Sequence, residues 1–320
     1  MILLFIFWVL ANVAIFINFR AFSSYNVPTF PAIVINYIVC VLTGSIFIAM
    51  GWIESPPVFE TLQSPSFSTA LYIAMGMGSF FIGSFYIMGL TTQLSGVAVA
   101  SLSARISFVI PVLVNLWIWK SGGKDYDFIN YLGLFLAISA VGLVSYKPSK
   151  MIDPTEYKPD DNGYNKKKYL AIALPILVFL VSGTIDTTFN YTVREDVQIV
   201  LPNQQGIFSV LLFGIAGLTG ITVFTIQFLR KKVTMTKRSI IGGICLGIPN
   251  FFSIFLLLKV LSGFKGDGAL VFPIFNISVI LIAAIASYFF FKEKLSLINK
   301  LGLALAIFAI LLISYQEVIS

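Results

Sequence analysis

The sequence predicts an all-α membrane protein with ten transmembrane helices in two inverted five-helix repeats. Three observations predict it. Hydrophobic residues make up 58% of the chain and charged residues 11%, with a mean hydropathy of +0.94. Soluble domains run at ~45–50% apolar and ~25% charged. Ten stretches are apolar over the roughly 20 residues that a spanning helix needs. One of those stretches recurs, little changed, 169 residues further along.

The ten stretches run 2–19, 28–51, 67–90, 95–119, 127–147, 169–192, 203–229, 239–261, 268–291 and 297–316. The first has no Lys or Arg ahead of its apolar run, so the basic region of a signal peptide is missing and a retained helix is expected. Pro28 and Pro31 open the second, where a missing N–H does little harm. Pro56, Pro57 and Pro65 punctuate the following loop, and Ser121-Gly122-Gly123 separates the fourth stretch from the fifth. Residues 148–168 form the longest polar stretch, with Asp153, Asp160, Asp161 and several lysines. They divide the chain into a first repeat, 1–147, a linker, 148–168, and a second repeat, 169–320. No segment is long or polar enough to form a separate soluble domain.

The repeat rests on residues 129–146, INYLGLFLAISAVGLVSY, and 298–315, INKLGLALAIFAILLISY, which are identical at 12 of 18 positions without a gap. Shared Leu and Ile follow from apolar composition alone. A matched Ile-Asn-x-Leu-Gly at the start and Ser-Tyr at the end do not. The two copies are the fifth and tenth stretches, so each half has five spans. Five is odd, and the second half therefore enters the membrane from the opposite side. That plan is common in secondary transporters, which bind substrate near the bilayer midplane at the repeat interface and rock one half against the other.

In these features the chain resembles the drug/metabolite transporter superfamily, specifically its ten-helix EamA-type members. The strongest matching stretch is 272–314. Pro273 stands early in the ninth span, the turn Phe291-Lys292-Glu293-Lys294-Leu295-Ser296 follows, and Gly302 lies in a final apolar helix. The family's glutamate in this turn corresponds to Glu293, whereas the first half has Lys124 at the matching position. The resemblance implies a carrier and names no cargo: relatives move amino acids, purines, sugars, nucleotide conjugates or drugs.

The net charge of +7 is a membrane signature rather than a sign of nucleic-acid binding. Fifteen of the 21 Lys and Arg lie in or beside loops that follow odd-numbered stretches, against five after even-numbered ones. The positive-inside rule then puts both termini outside. Members of the family that the chain resembles are usually described with both termini inside.

The chain has no histidine, which excludes a Ser–His–Asp triad, a Cys–His pair, an HExxH zinc site and a His-ligated haem. Its two cysteines, Cys40 and Cys245, cannot make a Cys₄ metal site or a disulfide framework, and both read as small buried hydrophobes. No G-x-x-x-x-G-K-[ST] loop is present, so ATP is not expected to drive this chain directly. No cofactor or metal is expected.

A charge at the centre of a span costs ~2.5–3.5 kcal/mol, so such residues face a cavity or a partner. Arg105 sits in the fourth stretch, one turn after Ser101. It fits paired hydrogen bonds to a substrate carboxylate or phosphate, and equally an internal salt bridge or carbonyl clamp. Asp186, in the sixth stretch, shares a face with Asn190 at i+4. It fits a coupling carboxylate for a proton or other cation, a ligand for a substrate amine, or a structural partner of Arg105. Asn36, Tyr37, Asn250 and Asn276 are further candidates for substrate contact or for helix-to-helix hydrogen bonds. Pro111, Pro249 and Pro273 each free a carbonyl and can break a span, which brings Asn250 and Asn276 closer to a site. Gly243 and Gly247 form a GxxxG pair, suited to close helix packing in the bundle.

The function expected is secondary transport of a small organic metabolite or drug, in the lipid bilayer of a bacterial inner membrane. A proton or another ion would couple it, or the protein would exchange or facilitate. The alternatives are a non-transporting scaffold or channel and a membrane-embedded enzyme. No filter motif is visible for a channel, and a paired-carboxylate enzyme needs two acids where Asp186 is the only one well inside a span.

Overall fold

A computed structural model describes residues 2–63, 65–114, 127–145, 162–193, 199–201, 203–263, 268–292, 296–313 and 315. Among them are twelve helices and no strand. They are α1 (Ile2–Ser24), α2 (Thr29–Ala49), α3 (Val58–Gln63), α4 (Pro65–Ser95), α5 (Val97–Ile106), α6 (Val109–Val114), α7 (Phe128–Ser145), α8 (Asn162–Val193), α9 (Gln205–Leu229), α10 (Lys237–Gly263), α11 (Gly268–Phe291) and α12 (Leu297–Ile313). Seven of these are long and apolar enough to cross a bilayer. The chain is thus an all-α, multi-pass membrane protein. A helix suits lipid because it satisfies its own backbone hydrogen bonds within the segment. Shorter apolar helical stretches, Val97–Pro111, Phe128–Ala140 and Leu297–Ile313, fall in the fourth, fifth and tenth stretches of the sequence.

The fourth stretch is broken, and Pro111 explains where. Its ring nitrogen has no hydrogen for the carbonyl of Ser107, four residues back. That carbonyl is met by the Ile110 N–H at 2.9 Å, one residue short of an α-helical bond. The chain therefore turns at Ser107 and Phe108, between α5 and α6. Gly96, at φ +93°, makes the corner between α4 and α5 in a conformation that a side chain would strain.

Two compact units form: Met1–Gly89 with Thr188–Gly268, and Leu90–Thr187 with Ala269–Ser320. Each therefore takes helices from both sides of the 148–168 stretch.

In the first unit α2 runs antiparallel to α9. Gly206 faces Ile53 near the end of α2, Gly217 faces Tyr37, and Gly220 faces Val34. Against α10, α2 runs parallel, with Gly243 on Ile35 and Gly247 on Val39. A Cβ at Gly243 or Gly247 would come within 2.7 Å of the carbonyl oxygen of Ala32 or Asn36, so the GxxxG pair lets the two backbones nearly touch. Cys245 lies between these glycines, about 200° round the helix from each, and so turns away from α2. It is exposed, not buried as its apolar surroundings suggested; Cys40 is buried. Aromatic rings fill the middle of this unit: Tyr37 packs against Phe85 and Phe213, and Phe81 against Phe85, Phe189 and Phe213.

In the second unit the two matched stretches, α7 and α12, pack against each other and run antiparallel. The Asn130 amide at the start of α7 donates to the Ile313 carbonyl at the end of α12, at 2.9 Å. Alanines make the seam, with Ala137, Ala140, Ala306 and Ala309 buried among Leu134, Ile280, Ile310 and Ile313. The two helices also start alike. Asp127 Oδ1 accepts the Asn130 N–H at 3.2 Å, and Ser296 Oγ, the residue 169 positions on, accepts the Asn299 N–H at 3.1 Å. Each is an N-cap that satisfies a donor left over at the helix start.

A charged pair at a broken membrane helix

The second unit brings Arg105 and Asp186 together. Arg105 stands in the last turn of α5, where the ends of the carbonyls gather negative partial charge and favour a cation. Its guanidinium lies over the ring of Phe275 in α11, 5.1 Å from the centroid. Asp186 is carried by α8, which approaches α6 closely because Gly183 leaves room for Ile110. Both charged side chains are half-buried, and each lies in the field of the other. Asp186 Oδ2 is 3.1 Å from the hydroxyl of Ser107, the residue at which the helix breaks. That hydroxyl also lies 2.6 Å from the Ala104 carbonyl.

The other candidates divide between the units. Asn276 is buried in α11, next in sequence to Phe275. Ser101 spends its hydroxyl on the Ala98 carbonyl at 3.1 Å. Asn190 lies in α8, and its side chain is outside the described residues. So are the side chain of Pro273 and the whole of Glu293 and Lys124.

Asn36, Tyr37 and Asn250 meet in the first unit, all fully buried. Asn250 Nδ2 donates to Asn36 Oδ1 at 3.1 Å and joins α10 to α2. Cys40 donates to the Gly247 carbonyl at 3.3 Å beside them. The Tyr37 hydroxyl donates to the Phe81 carbonyl at 2.9 Å and so braces α2 against α4. Among the described residues, Asn36 Nδ2 and Asn250 Oδ1 have no hydrogen-bond partner.

Sequence reasoning did not single out Ser107 or Phe275. Ser107 carried a signal, since it lies four residues before Pro111 and any break would fall there. Phe275 carried none among 31 phenylalanines.

No protein-family profile matches the chain. A Haemophilus influenzae protein, described only as uncharacterized, is 27% identical over 317 residues, covering 98% of this chain and 97% of its own length. A crystal structure whose description states no activity superposes with a TM-score of 0.58 at 13% identity, over 98% of this chain and 97% of the other. The second likeness is one of fold, and it extends along nearly the whole chain.

Proposed function

We propose that the chain is a secondary transporter, moving a small organic molecule across the membrane by alternating access. The observation that carries this reading is the Arg105–Asp186 pair, held at a break in an apolar span. Each charge costs ~2.5–3.5 kcal/mol to place inside a membrane. A pair kept for stability alone is replaceable by apolar side chains at little or no loss. Broken helices in the membrane expose backbone carbonyls and N–H groups, which is how carriers build their sites.

The antiparallel packing of α7 and α12 supports the inverted repeat, because two copies of one sequence point in opposite directions. Ten crossings fit the helix directions inside each unit. Spans two and seven run antiparallel, two and eight parallel, and five and ten antiparallel, as strict alternation requires. The resemblance to EamA-type carriers points the same way, and a bacterial inner membrane is the setting we assign. The cargo is a small molecule, not a nucleic acid. Arg105 and Asp186 are the residues we assign to it first, with Asn276 beside Phe275. Asn36, Tyr37, Asn190 and Asn250 follow.

Counterflow in proteoliposomes tests the reading. Loaded vesicles should exchange a solute from one of five classes: amino acids, nucleobases, sugars, organic anions or cationic drugs. The exchange should saturate and should fall at least tenfold in Arg105→Ala. Flux that rises linearly with concentration would make the protein a channel, and no flux with any class would sink the proposal.

A further inference from the structure

The charges of the first unit are sorted by end. Residues 1–53, 65–89 and 205–263 contain no Asp or Glu, and they supply α1, α2, α9, α10 and the unit's part of α4. The unit's five acids, Glu54, Glu60, Glu195, Asp196 and Asp267, come in sequence after α2, before α9 and after α10. Its basic residues gather at the opposite ends of the same helices. Arg20 lies one turn before the end of α1, Arg230, Lys231 and Lys232 follow α9, and Lys237 and Arg238 open α10.

Packing brings these ends together. Because α2 is antiparallel to α9 and parallel to α10, α9 ends where α2 and α10 begin. Gly242, in the second turn of α10, faces Phe22 near the end of α1 and Val27 in the turn to α2. Arg238 Nη1 reaches the Tyr25 carbonyl of that turn at 3.4 Å. The six cations thus share one end of a compact unit, and all but Arg20 are exposed. The turn after α9 is ordered by its own hydrogen bonds. The N–H groups of Lys231 and Lys232 donate to the carbonyls of Phe228 and Gln227 at 2.8 and 2.9 Å and close the helix. Lys231 takes φ +54°, where a helix end favours glycine, so a lysine stands there against the local preference.

Cations gathered in this way repel one another, and none of the unit's acids is placed to offset them. The 148–168 linker does not offset them on balance, with five lysines against four acids. The surroundings say what kind of anion fits. Arg238, Ile241, Cys245 and Ile248 lie along one exposed face of α10, and Phe228 and Leu229 are exposed at the end of α9. The connecting turns are only four residues (25–28) and seven residues (230–236) long, so the cations stay at the level where the spans leave the membrane. A soluble phosphate makes no use of an apolar strip. A phospholipid sets its phosphate among the cations and its acyl chains on the strip. We propose that this end of the first unit binds an anionic phospholipid. Its phosphate is held by Arg230, Lys231, Lys232, Lys237 and Arg238, and an acyl chain lies against Ile241 and Ile248. The inference goes beyond the transporter reading and does not depend on it.

The test uses the full chain in vesicles of phosphatidylcholine, with the same lipid in both leaflets so that the orientation of the protein does not enter. Cys245 is the reporter. It is exposed whereas Cys40 is buried, and it lies seven residues, ~10 Å, along α10 from Arg238. A bimane fluorophore on Cys245 is quenched by brominated acyl chains that come beside it. At a few mole per cent, brominated phosphatidylglycerol should quench at least ~threefold more than brominated phosphatidylcholine. The excess should vanish when Arg230→Gln, Lys231→Gln and Lys232→Gln are combined, and should fall by about half or more in Lys237→Gln with Arg238→Gln. Arg238→Lys keeps the charge and should retain it, as should Lys259→Gln near the other end of α10. Millimolar inorganic phosphate should leave the excess unchanged. Each variant should elute as a single species, and the comparison of the two lipids on the wild type stands whatever the variants do. Equal quenching by the two lipids would overturn the inference, as would an excess that survives in both sets of Gln variants. Displacement by phosphate would overturn it in favour of a soluble anion. An excess that appears only once Asp153, Glu156, Asp160 and Asp161 are changed to Asn or Gln would overturn it in favour of the linker as the occupant.

Discussion

Asn36 and Asn250 share one hydrogen bond and leave a donor and an acceptor over, both buried. A single Asn36→Leu or Asn250→Leu leaves the surviving amide unpaired in the core and should cost ~1–3 kcal/mol. The double variant should cost less than the sum of the two, and thermal melts of the full cycle would measure the difference. Simple additivity would mean that the two amides do not act as a pair. Asp127 offers a second test at this scale. Its carboxylate accepts hydrogen bonds from the Tyr315 hydroxyl and from the N–H groups of Asn130 and Ile129, and these hold it below its usual value of 3.8. A carboxylate depressed in the folded state stabilises above its unfolded value and loses that contribution as pH falls through the folded one. The wild type should therefore lose melting temperature as pH drops below 3.8, and Asp127→Asn should lose less. Equal losses would show that the cap does not contribute. Arg105 and Asp186 were legible as residues because a charge in an apolar run stands out. The bond from Ser107 to Asp186 was not, since it joins residues 79 apart in sequence.

Among the helices, small residues decide how closely neighbours approach. At Gly247 an added Cβ would meet the Asn36 carbonyl oxygen at 2.7 Å and Val39 Cβ at 2.6 Å. At Gly76 it would meet nothing within 4 Å. Gly247→Ala should therefore destabilise by ~1–3 kcal/mol, as overpacking does. Gly76→Ala should be neutral or stabilise by up to ~1 kcal/mol, through helix propensity alone. Denaturation of the two variants side by side checks both, and equal effects would refute the close approach of α2 and α10. The GxxxG spacing announced a packing face, and the structure supplies its partner. The break between α5 and α6 was only half legible: Pro111 marked the fourth stretch as breakable, but beyond it the apolar run reads on to 119 with Asn115 as its one polar residue. Hydropathy measures what a segment is made of, and a missing N–H leaves no trace in it.

For the whole molecule, the open question of direction has a direct measurement. A cysteine added after Ser320 should react with an impermeant maleimide from outside the cell if the charge count governs, with Cys245→Ser removing the exposed native thiol. Reaction from the cytoplasmic side alone would show that the charge count does not set the orientation. The sequence by itself determined the all-α membrane character and the presence of a duplicated stretch. Both follow from local causes: in lipid each span must satisfy its backbone from its own twenty or so residues, so each is readable where it stands. Only the tertiary structure decided which polar groups meet. Asn36 finds Asn250 across 214 positions, Asn130 finds Ile313 across 183, and α7 and α12 meet head to tail. These pairings arise because glycine and alanine let particular helix faces come together, and the apolar pattern of a helix that is hydrophobic all round does not say which face will be turned to which neighbour.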